Sequence, residues 1–509
     1  MTDLLNLFAA PCSNEPFISD STVHNIKLSS VLRLCLTEDR TSAVTAFLQR
    51  PFDTETLLQR QGFFKEFLYS DTLPDLLRKT QADLISAIQL AEQYEKEKNT
   101  DLKHFLYYRF MDVYTTALTN LVAAADTANS DIMSAFFARI KAFCEQDNVK
   151  QAIHDIGSIR LALRDLISQS YEIRLYGSFI TSYDIKSPEK DTPLDTRLLA
   201  LFEDMNMGIA APPVKKELTG SIFNTYMWLL IKNNTQLRGT LSTYHTRHQQ
   251  LFSHIMPIDF SDISIALNIR TLFEYLTNQE IPLTFPQVSQ TRAACIHDFY
   301  DLSLLTQKIS AIIPNDYICS EDEAIFILTG VNSGGKTTYL RGLGIAITFF
   351  AAGLFVPATS ATIPIYDRIE ALFAGRSSTR SGERFQQEKQ MIGDAADKLT
   401  ATSMLLVNEI FSSIDEKTAV DEYSRAIKTL QQKGCHSLLI THLHSLAQGV
   451  ALPNIVSLTA MIGENAERLY KIKRFQGRSS NVAEILRKYA LTPEQLAENL
   501  LQKGAQNNG

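Results

Sequence analysis

The residues with the most chemistry to offer run from Gly330 to Thr337, in the order Gly-Val-Asn-Ser-Gly-Gly-Lys-Thr. An apolar run, "AIFIL", precedes them, and a helical pattern, "TYLRGLGIAITFF", follows. A G-x-x-x-x-G-K-T loop between a strand and a helix suits phosphate. Its glycines let backbone N–H groups turn inward, and the helix N-terminus adds partial positive charge. In such a loop Lys336 reaches the β- and γ-phosphates and the Thr337 hydroxyl binds Mg²⁺. The expected cofactors are ATP and Mg²⁺, with the nucleotide lying on Gly330, Asn332, Ser333, Gly334, Gly335, Lys336, Thr337 and Thr338.

A second apolar run, "MLLV", ends on Asn408 and Glu409. An acidic residue at a strand end beside a phosphate loop can polarise or position an attacking water, and Glu409 is the candidate. Asn408 stands where an Asp would hold a metal-bound water. Its amide oxygen still accepts a hydrogen bond, but it brings no charge to offset the metal's. The expected metal set is therefore Thr337, Asn408 and Glu409. Whether Asn408 slows turnover or is simply accommodated stays open.

The segment Asn408–Asp415, N-E-I-F-S-S-I-D, resembles the D-E-P-T-S-A-L-D of the ATP-binding-cassette ATPases. There the loop crosses a dimer interface, which places Asp415 at its end. The strand in "HSLLITHLHSL" ends at His442, where those enzymes keep a histidine on the γ-phosphate; His444 is the substitute. Lys336, Glu409 and His442 form the expected catalytic set. Ser381 and Gly382 open a helical run and loosely resemble the signature that caps ATP held by the opposite subunit; an ordinary helix cap is the alternative. Arg384 suits either a phosphate or the surface.

Other segments must position these groups. No proline falls between Pro74 and Pro188, and apolar residues there recur at three- and four-residue spacings, as in amphipathic helices. "SIRLALRDLISQSYEIR" is read as continuing that pattern. After Ile281 short apolar runs alternate with helical ones, which predicts an α/β domain with a mainly parallel sheet. The expected organisation is a multidomain chain: an N-terminal extension (1–20), a long all-α core and lever region with a possible clamp (21–280), a phosphate-loop ATPase domain (281–480) and a C-terminal helical pair suited to dimerisation (481–509).

"TGVNSGGKTTYLR" fits the pattern T-G-x-N-x-G-G-K-S/T-S/T-x-x-R through Arg341, and "GLFVPA" (353–358) follows its helix. With "LTATSMLLVNEI" and "ITHLHSL", these segments resemble the MutS family, the ATPases of DNA mismatch repair and their relatives. "IIPND" (312–316) resembles the family's entry into the ATPase domain, which implies that the adenine packs near Ile312 and Ile313. The resemblance implies an ATPase domain of the cassette and MutS type, a homodimer with two sandwiched ATPs, and DNA as partner.

The chain departs from the mismatch readers. The small α/β domain with a Phe-x-Glu wedge is expected to be missing, since Phe64-Lys65-Glu66 and Phe143-Cys144-Glu145 fall in helical patterns, and no added nuclease-like domain is expected after residue 509. The expected target is thus branched or junction DNA. The alternatives are an ATP-gated clamp with negligible turnover and an ATPase that remodels a ribonucleoprotein. In the 214–250 segment, Lys215, Lys216, Lys232, Arg238 and Arg247 stand against Glu217 alone, a local +4 in a chain of net charge -7. It fits either a DNA-tracking surface or a solvated helix face.

Composition excludes other classes. The six cysteines form no Cys-x-x-Cys pair and are expected to be buried thiols in the cytoplasm. The run Gly342–Ala358 falls short of the roughly 20 residues of a membrane span and is expected to be a buried helix. No membrane partner is expected.

Overall fold

A computed structural model of the chain describes residues 4–8, 16–50, 53–168, 170–176, 179–186, 228, 230–232, 234–307, 309, 312–374, 381–443, 446, 454–463 and 467–475. The expected C-terminal helical pair lies outside these residues.

The chain divides into two compact units. One, the helical unit, comprises Met1–Leu7 and Ser70–Ser264; the other, the α/β unit, comprises Phe8–Tyr69 and Ile265–Gly509. Boundaries expected at 20 and 280 therefore move. Residues 8–69 belong with the C-terminal half, and Phe17 and Ile18 are buried there rather than forming an extension.

In the α/β unit the first helices are α1 (Asp20–Asn25), α2 (Leu28–Leu32), α3 (Glu38–Leu48) and α4 (Thr54–Tyr69). The helical unit follows with α5 (Leu73–Lys96), α6 (Thr100–Ala123), α7 (Asp131–Cys144) and α8 (Asp147–Ser168). An antiparallel hairpin of β1 (Ser170–Tyr176) and β2 (Phe179–Lys186) comes next, then α9 (Thr235–His248) and α10 (Gln250–Ile255). The hairpin corrects the all-α expectation. "SYEIRLY" and "FITSYDIK" alternate with period two on either side of Gly177, a strand signal that the preceding helical periodicity had masked. The division between units falls within α11 (Ser261–Asn278).

Inside the helical unit α5 and α6 pack lengthwise over Leu77, Leu84, Phe105, Phe110 and Leu118, all buried. The N-terminal Leu7 donates its N–H to the buried Asp262 carboxylate at 2.9 Å. Phe143 is buried in α7 and, in the other unit, Phe64 is buried in α4, so neither Phe-x-Glu string presents a wedge.

The rest of the α/β unit contains β3 (Gln287–Val288), β4 (Ala294–Phe299), β5 (Asn315–Cys319), β6 (Ile325–Thr329), α12 (Lys336–Ala351), β7 (Ser360–Ile363) and β8 (Arg368–Phe373). Then come α13 (Ser381–Lys398), β9 (Ser403–Asn408), α14 (Glu416–Lys433), β10 (His436–Ile440), β11 (Ile455–Ile462) and β12 (Arg468–Arg474). A six-stranded sheet runs β12-β11-β6-β10-β9-β8, parallel except for β12. A smaller sheet runs β3-β7-β4-β5. Every residue of β6 and β10 is buried, which is why Ile325–Leu328 and Leu438–Ile440 read as apolar runs. Ile18 bridges Ile369 and so extends the β8 edge with the N-terminal segment.

Helix α12 is apolar on all sides and buried through most of its length, as expected for Gly342–Ala358. Among the described residues no helix is long and apolar enough to cross a membrane. Helix α14 starts at Asp415, whose carboxylate caps the Thr418 N–H at 3.0 Å, and stops at Gly434 with φ 70°. The described cysteines are all free thiols. Cys319 and Cys435 are buried as expected, whereas Cys35, Cys144 and Cys295 are only half-buried.

His436 sits in the middle of this packing, with Nδ1 2.8 Å from the Tyr366 hydroxyl. Burial, with Arg292 second, pushes its pKa down to about 4. A free imidazole titrates near 6.5, so between these values the unfolded chain binds the extra proton and folding weakens as pH falls. From this group the α/β unit should be less stable at pH 5 than at pH 7 by on the order of 2 kcal/mol. Urea midpoints of the wild type and His436→Gln at both pH values check this; the variant should show the smaller loss.

Candidate functional site

The parallel register puts the ends of three strands side by side. Leu328, Ile440 and Asn408 are aligned across β6, β10 and β9. Whatever follows those strands must share one edge of the sheet: the Gly330–Thr337 loop, Glu409 and His442.

The loop turns tightly. Gly330 has φ 130°, and a Cβ there would stand 2.9 Å from the Ala460 Cβ on β11, so a larger residue would have to displace that strand. Gly335, with φ 91°, delivers the chain into α12. Lys336 begins the helix and is buried; its Nζ donates to the carbonyls of Gly330 at 2.9 Å and Val331 at 3.1 Å. Burial lowers its pKa, and the Glu409 carboxylate 3.8 Å away opposes that shift.

Glu409 is the hub. Its N–H donates to the Ile440 carbonyl at 3.0 Å, and its Oε1 lies 3.0 Å from His442 Nε2. Glu409 and Phe411 both have positive φ, 55° and 59°, a conformation costing roughly 1–3 kcal/mol each in such residues and held by its surroundings. Asn408 accepts a hydrogen bond from the Thr337 hydroxyl at 3.0 Å. The amide therefore sits where its oxygen can serve a shared ligand with Thr337.

A cavity of about 470 Å³ opens over this edge, lined by Ser333, Gly335, Lys336, Thr337, Thr338 and Glu409 on the loop side and by Leu304, Ile309, Ile313, Asn315 and Tyr470 on the other. Of the expected adenine contacts Ile313 lines it; Ile312 is not among its walls. Gly330, Asn332 and Gly334 shape the loop without lining the cavity. Ser381 and Gly382 open α13, and neither lines the cavity of its own chain. Arg384 pairs with Glu388 at 2.9 Å, which accounts for it without a phosphate. Asp415 acts as a helix cap. His444 lies outside the described residues.

The oxygen donors Thr337, Asn408 and Glu409 suit a hard cation, but they include a single carboxylate. Among the described residues no cluster of three or more His, Cys, Asp or Glu could hold a metal. A magnesium ion here would take its remaining ligands from phosphate oxygens and water.

Two residues of this site escape sequence reading. Tyr470, 44% exposed and with φ 54°, stands against Gly335 and supplies an aromatic wall. Asn315 fixes it: its side-chain amide donates to the Tyr470 carbonyl at 3.0 Å and accepts the Ile472 N–H at 2.7 Å. "RLYKIK" carries only an alternation that places Tyr470 on one face of a strand. In the described part of the 214–250 segment, Arg247 and two histidines are engaged elsewhere. Arg247 and His248 both bind Asp155 at 2.9 Å, and the His245 ring packs 4.5 Å from His104. Lys215, Lys216 and Glu217 lie outside the described residues.

These features define an α/β domain in which a glycine-rich loop, an acid and a histidine meet at the C-terminal edge of a parallel sheet. Residues 326–499 match the family of MutS domain V. The DNA mismatch repair protein MutS of Chlorobium limicola is 32% identical over 174 residues, 33% of this chain and 20% of that one. That of Petrotoga mobilis is 29% identical over 217 residues, 40% and 24% of the two chains. That of Lactobacillus gasseri is 35% identical over 136 residues, 26% and 16%. Over this C-terminal part the chain is thus similar to MutS proteins, and it spans about a fifth of the length of these curated relatives.

The Asn315 clip is testable on its own. Asn315→Ala leaves a strand N–H and a carbonyl without that partner, at a cost of about 1–3 kcal/mol. A chemical-denaturation midpoint measures the loss, and proteolysis around residues 468–474 should accelerate.

Proposed function

We propose that this chain binds and hydrolyses ATP with Mg²⁺ and works as a homodimeric, nucleotide-switched clamp on DNA, with branched or junction DNA preferred over mismatches. The observation that carries the reading is that Lys336, Thr337 and Glu409 line one cavity, with Asn408 bonded to Thr337 and His442 to Glu409 behind them. Phosphates on the loop would take over the Lys336 ammonium from the Gly330 and Val331 carbonyls. Thr337 and Asn408 would hold the metal, which when bound offsets phosphate charge. Glu409 would orient the attacking water, with His442 fixing the carboxylate from the other side. The apolar wall with Ile313 and Tyr470 suits the base.

The likeness of residues 326–499 to MutS domain V supports the DNA partner and the dimer; the curated relatives are named for DNA mismatch repair. Ser381 and Gly382 would then meet the nucleotide of a second subunit. A second reading, an ATP-gated clamp with negligible turnover, is favoured by one feature: Asn408 is neutral, so the metal set carries one negative charge instead of two. A cytoplasmic location fits either reading.

Lys336→Ala should abolish binding of a fluorescent ATP analogue. Glu409→Gln should bind it normally and turn over at least about a hundredfold more slowly, because it removes a group used after binding. Turnover by Glu409→Gln at the wild-type rate would rule out the water-positioning role. Asn408→Asp separates the two readings. A rise of about tenfold or more in turnover marks a switch slowed by the missing charge, whereas an unchanged rate means the amide is accommodated. The partner is tested by gel-shift titration with four-way junction, mismatched and plain duplex DNA, with and without ATP. The junction should bind tightest, and equal affinity for all three would overturn that preference.

A further inference from the structure

The loop after Glu409 is gripped from three sides. From the strand side, the Ile440 carbonyl accepts the Glu409 N–H at 3.0 Å. From α14, the Tyr423 hydroxyl donates to the Ile410 carbonyl at 2.9 Å, and its ring packs edge-on against Phe411. From α13, Glu388 reaches in: its Oε2 accepts the Phe411 N–H at 2.7 Å, and its Oε1 accepts Arg384 Nε at 2.9 Å. Glu388 is 1% exposed. Phe385, also on α13, packs edge-on against Phe411, and Arg384 Nη2 reaches Ser412 Oγ at 3.4 Å.

This carboxylate is buried and spent on one backbone N–H and one arginine, two bonds that an apolar residue could not make. Removing this carboxylate alone would leave a buried N–H and an arginine without that partner, which is the costly way to break a buried pair. Here one partner is the amide of a residue with φ 59°, two positions beyond Glu409, whose own φ is 55°. These two unusual backbone conformations set the direction in which the Glu409 side chain leaves the strand, toward Lys336 and His442. The same α13 begins at Ser381 and Gly382, two turns from Glu388. A helix is stiff over that distance, so its first turn and the Glu409 loop move as one body.

We propose that Glu388 is a positioning residue, the bolt by which the start of α13 sets the direction of the Glu409 carboxylate. The inference rests on the ATPase reading above. In that reading a nucleotide seated on Ser381 and Gly382 from a second subunit pulls on α13, and Glu388 passes the displacement to Glu409 of its own subunit. The two sites of a dimer then fire in dependence on each other without direct contact between their catalytic groups.

The test compares wild type, Glu388→Gln and Arg384→Ala in the full chain. Glutamine keeps an acceptor for Phe411 but turns an N–H₂ toward Arg384, so it loosens the bolt without emptying the space. Glu388→Gln should lower kcat roughly ten- to a hundredfold, as a misplaced catalytic group does, with KM and the affinity for an ATP analogue within about twofold. Hydrogen exchange without nucleotide should show the Phe411 and Glu409 amides opening at least about tenfold faster, while those of Leu405 and Leu406 stay protected. Arg384→Ala, at a residue only partly buried, should move both readouts the same way by less and serves if Glu388→Gln does not fold. A merely structural role would change kcat, KM and global exchange together, and that result overturns the proposal. So does wild-type exchange at Phe411. If the wild type turns over no ATP, the hydrolysis reading fails, and the exchange result alone decides whether Glu388 holds the loop.

Discussion

Everything at the site depends on the register of three parallel strands. Ser437 to Ile440 pair with Ile325 to Leu328 on one side, and His436 to Ile440 pair with Met404 to Asn408 on the other. Side chains alternate with period two along a strand, so a slip of one residue would turn the whole set to the other face. The register is fixed by burial on both faces: every residue of β6 and β10 is buried. The apolar strands thus set where Lys336, Asn408, Glu409 and His442 stand relative to one another, although none of those four lies in a strand interior.

Within that frame the polar groups answer one another in pairs. The Lys336 ammonium has carbonyls of its own loop, and Glu409 stands close enough to oppose the effect of its burial. Glu409 shares itself between Lys336 and His442, and Asn408 is tied to Thr337. The tie gives Asn408 a place in the site: a neutral amide oxygen can accept the threonine hydroxyl where a carboxylate would. What it lacks is charge, and that lack would be felt only when a cation is present.

What the sequence made legible was local. A glycine loop between a strand and a helix, and an acid directly after an apolar run, are patterns whose meaning lies within a dozen residues. Tyr470, Asn315 and Glu388 were not legible because each takes its meaning from a partner far along the chain. Asn315 clips a strand more than 150 positions away, and Glu388 meets an amide across a helix–strand gap. In a mid-helix position beside Arg384 and Lys389, Glu388 reads as surface charge. The β1–β2 hairpin was missed for the opposite reason, since a strong helical period upstream was carried too far. Ser381 and Gly382 mark a helix start in both the sequence and the structure, and a single chain shows no more of them than that.

The order in which the α/β unit is assembled from the chain has a temporal side. Phe17 and Ile18 are buried in it, and Ile18 bridges Ile369 on the β8 edge. Residues 70–264, the bulk of the helical unit, lie between these two halves in the sequence. At ribosomal speed that stretch takes about 10–40 s to emerge. During that interval the apolar faces of residues 8–69, including the cluster of Phe8, Phe47, Phe63 and Phe64, must wait for the strands they will cover. The helical unit can close over its own core in the meantime, because apart from Met1–Leu7 its contacts come from one continuous stretch. The later domain in sequence is thus also the one whose earliest-made piece stands exposed longest, and that piece is where a chaperone would have the most to hold.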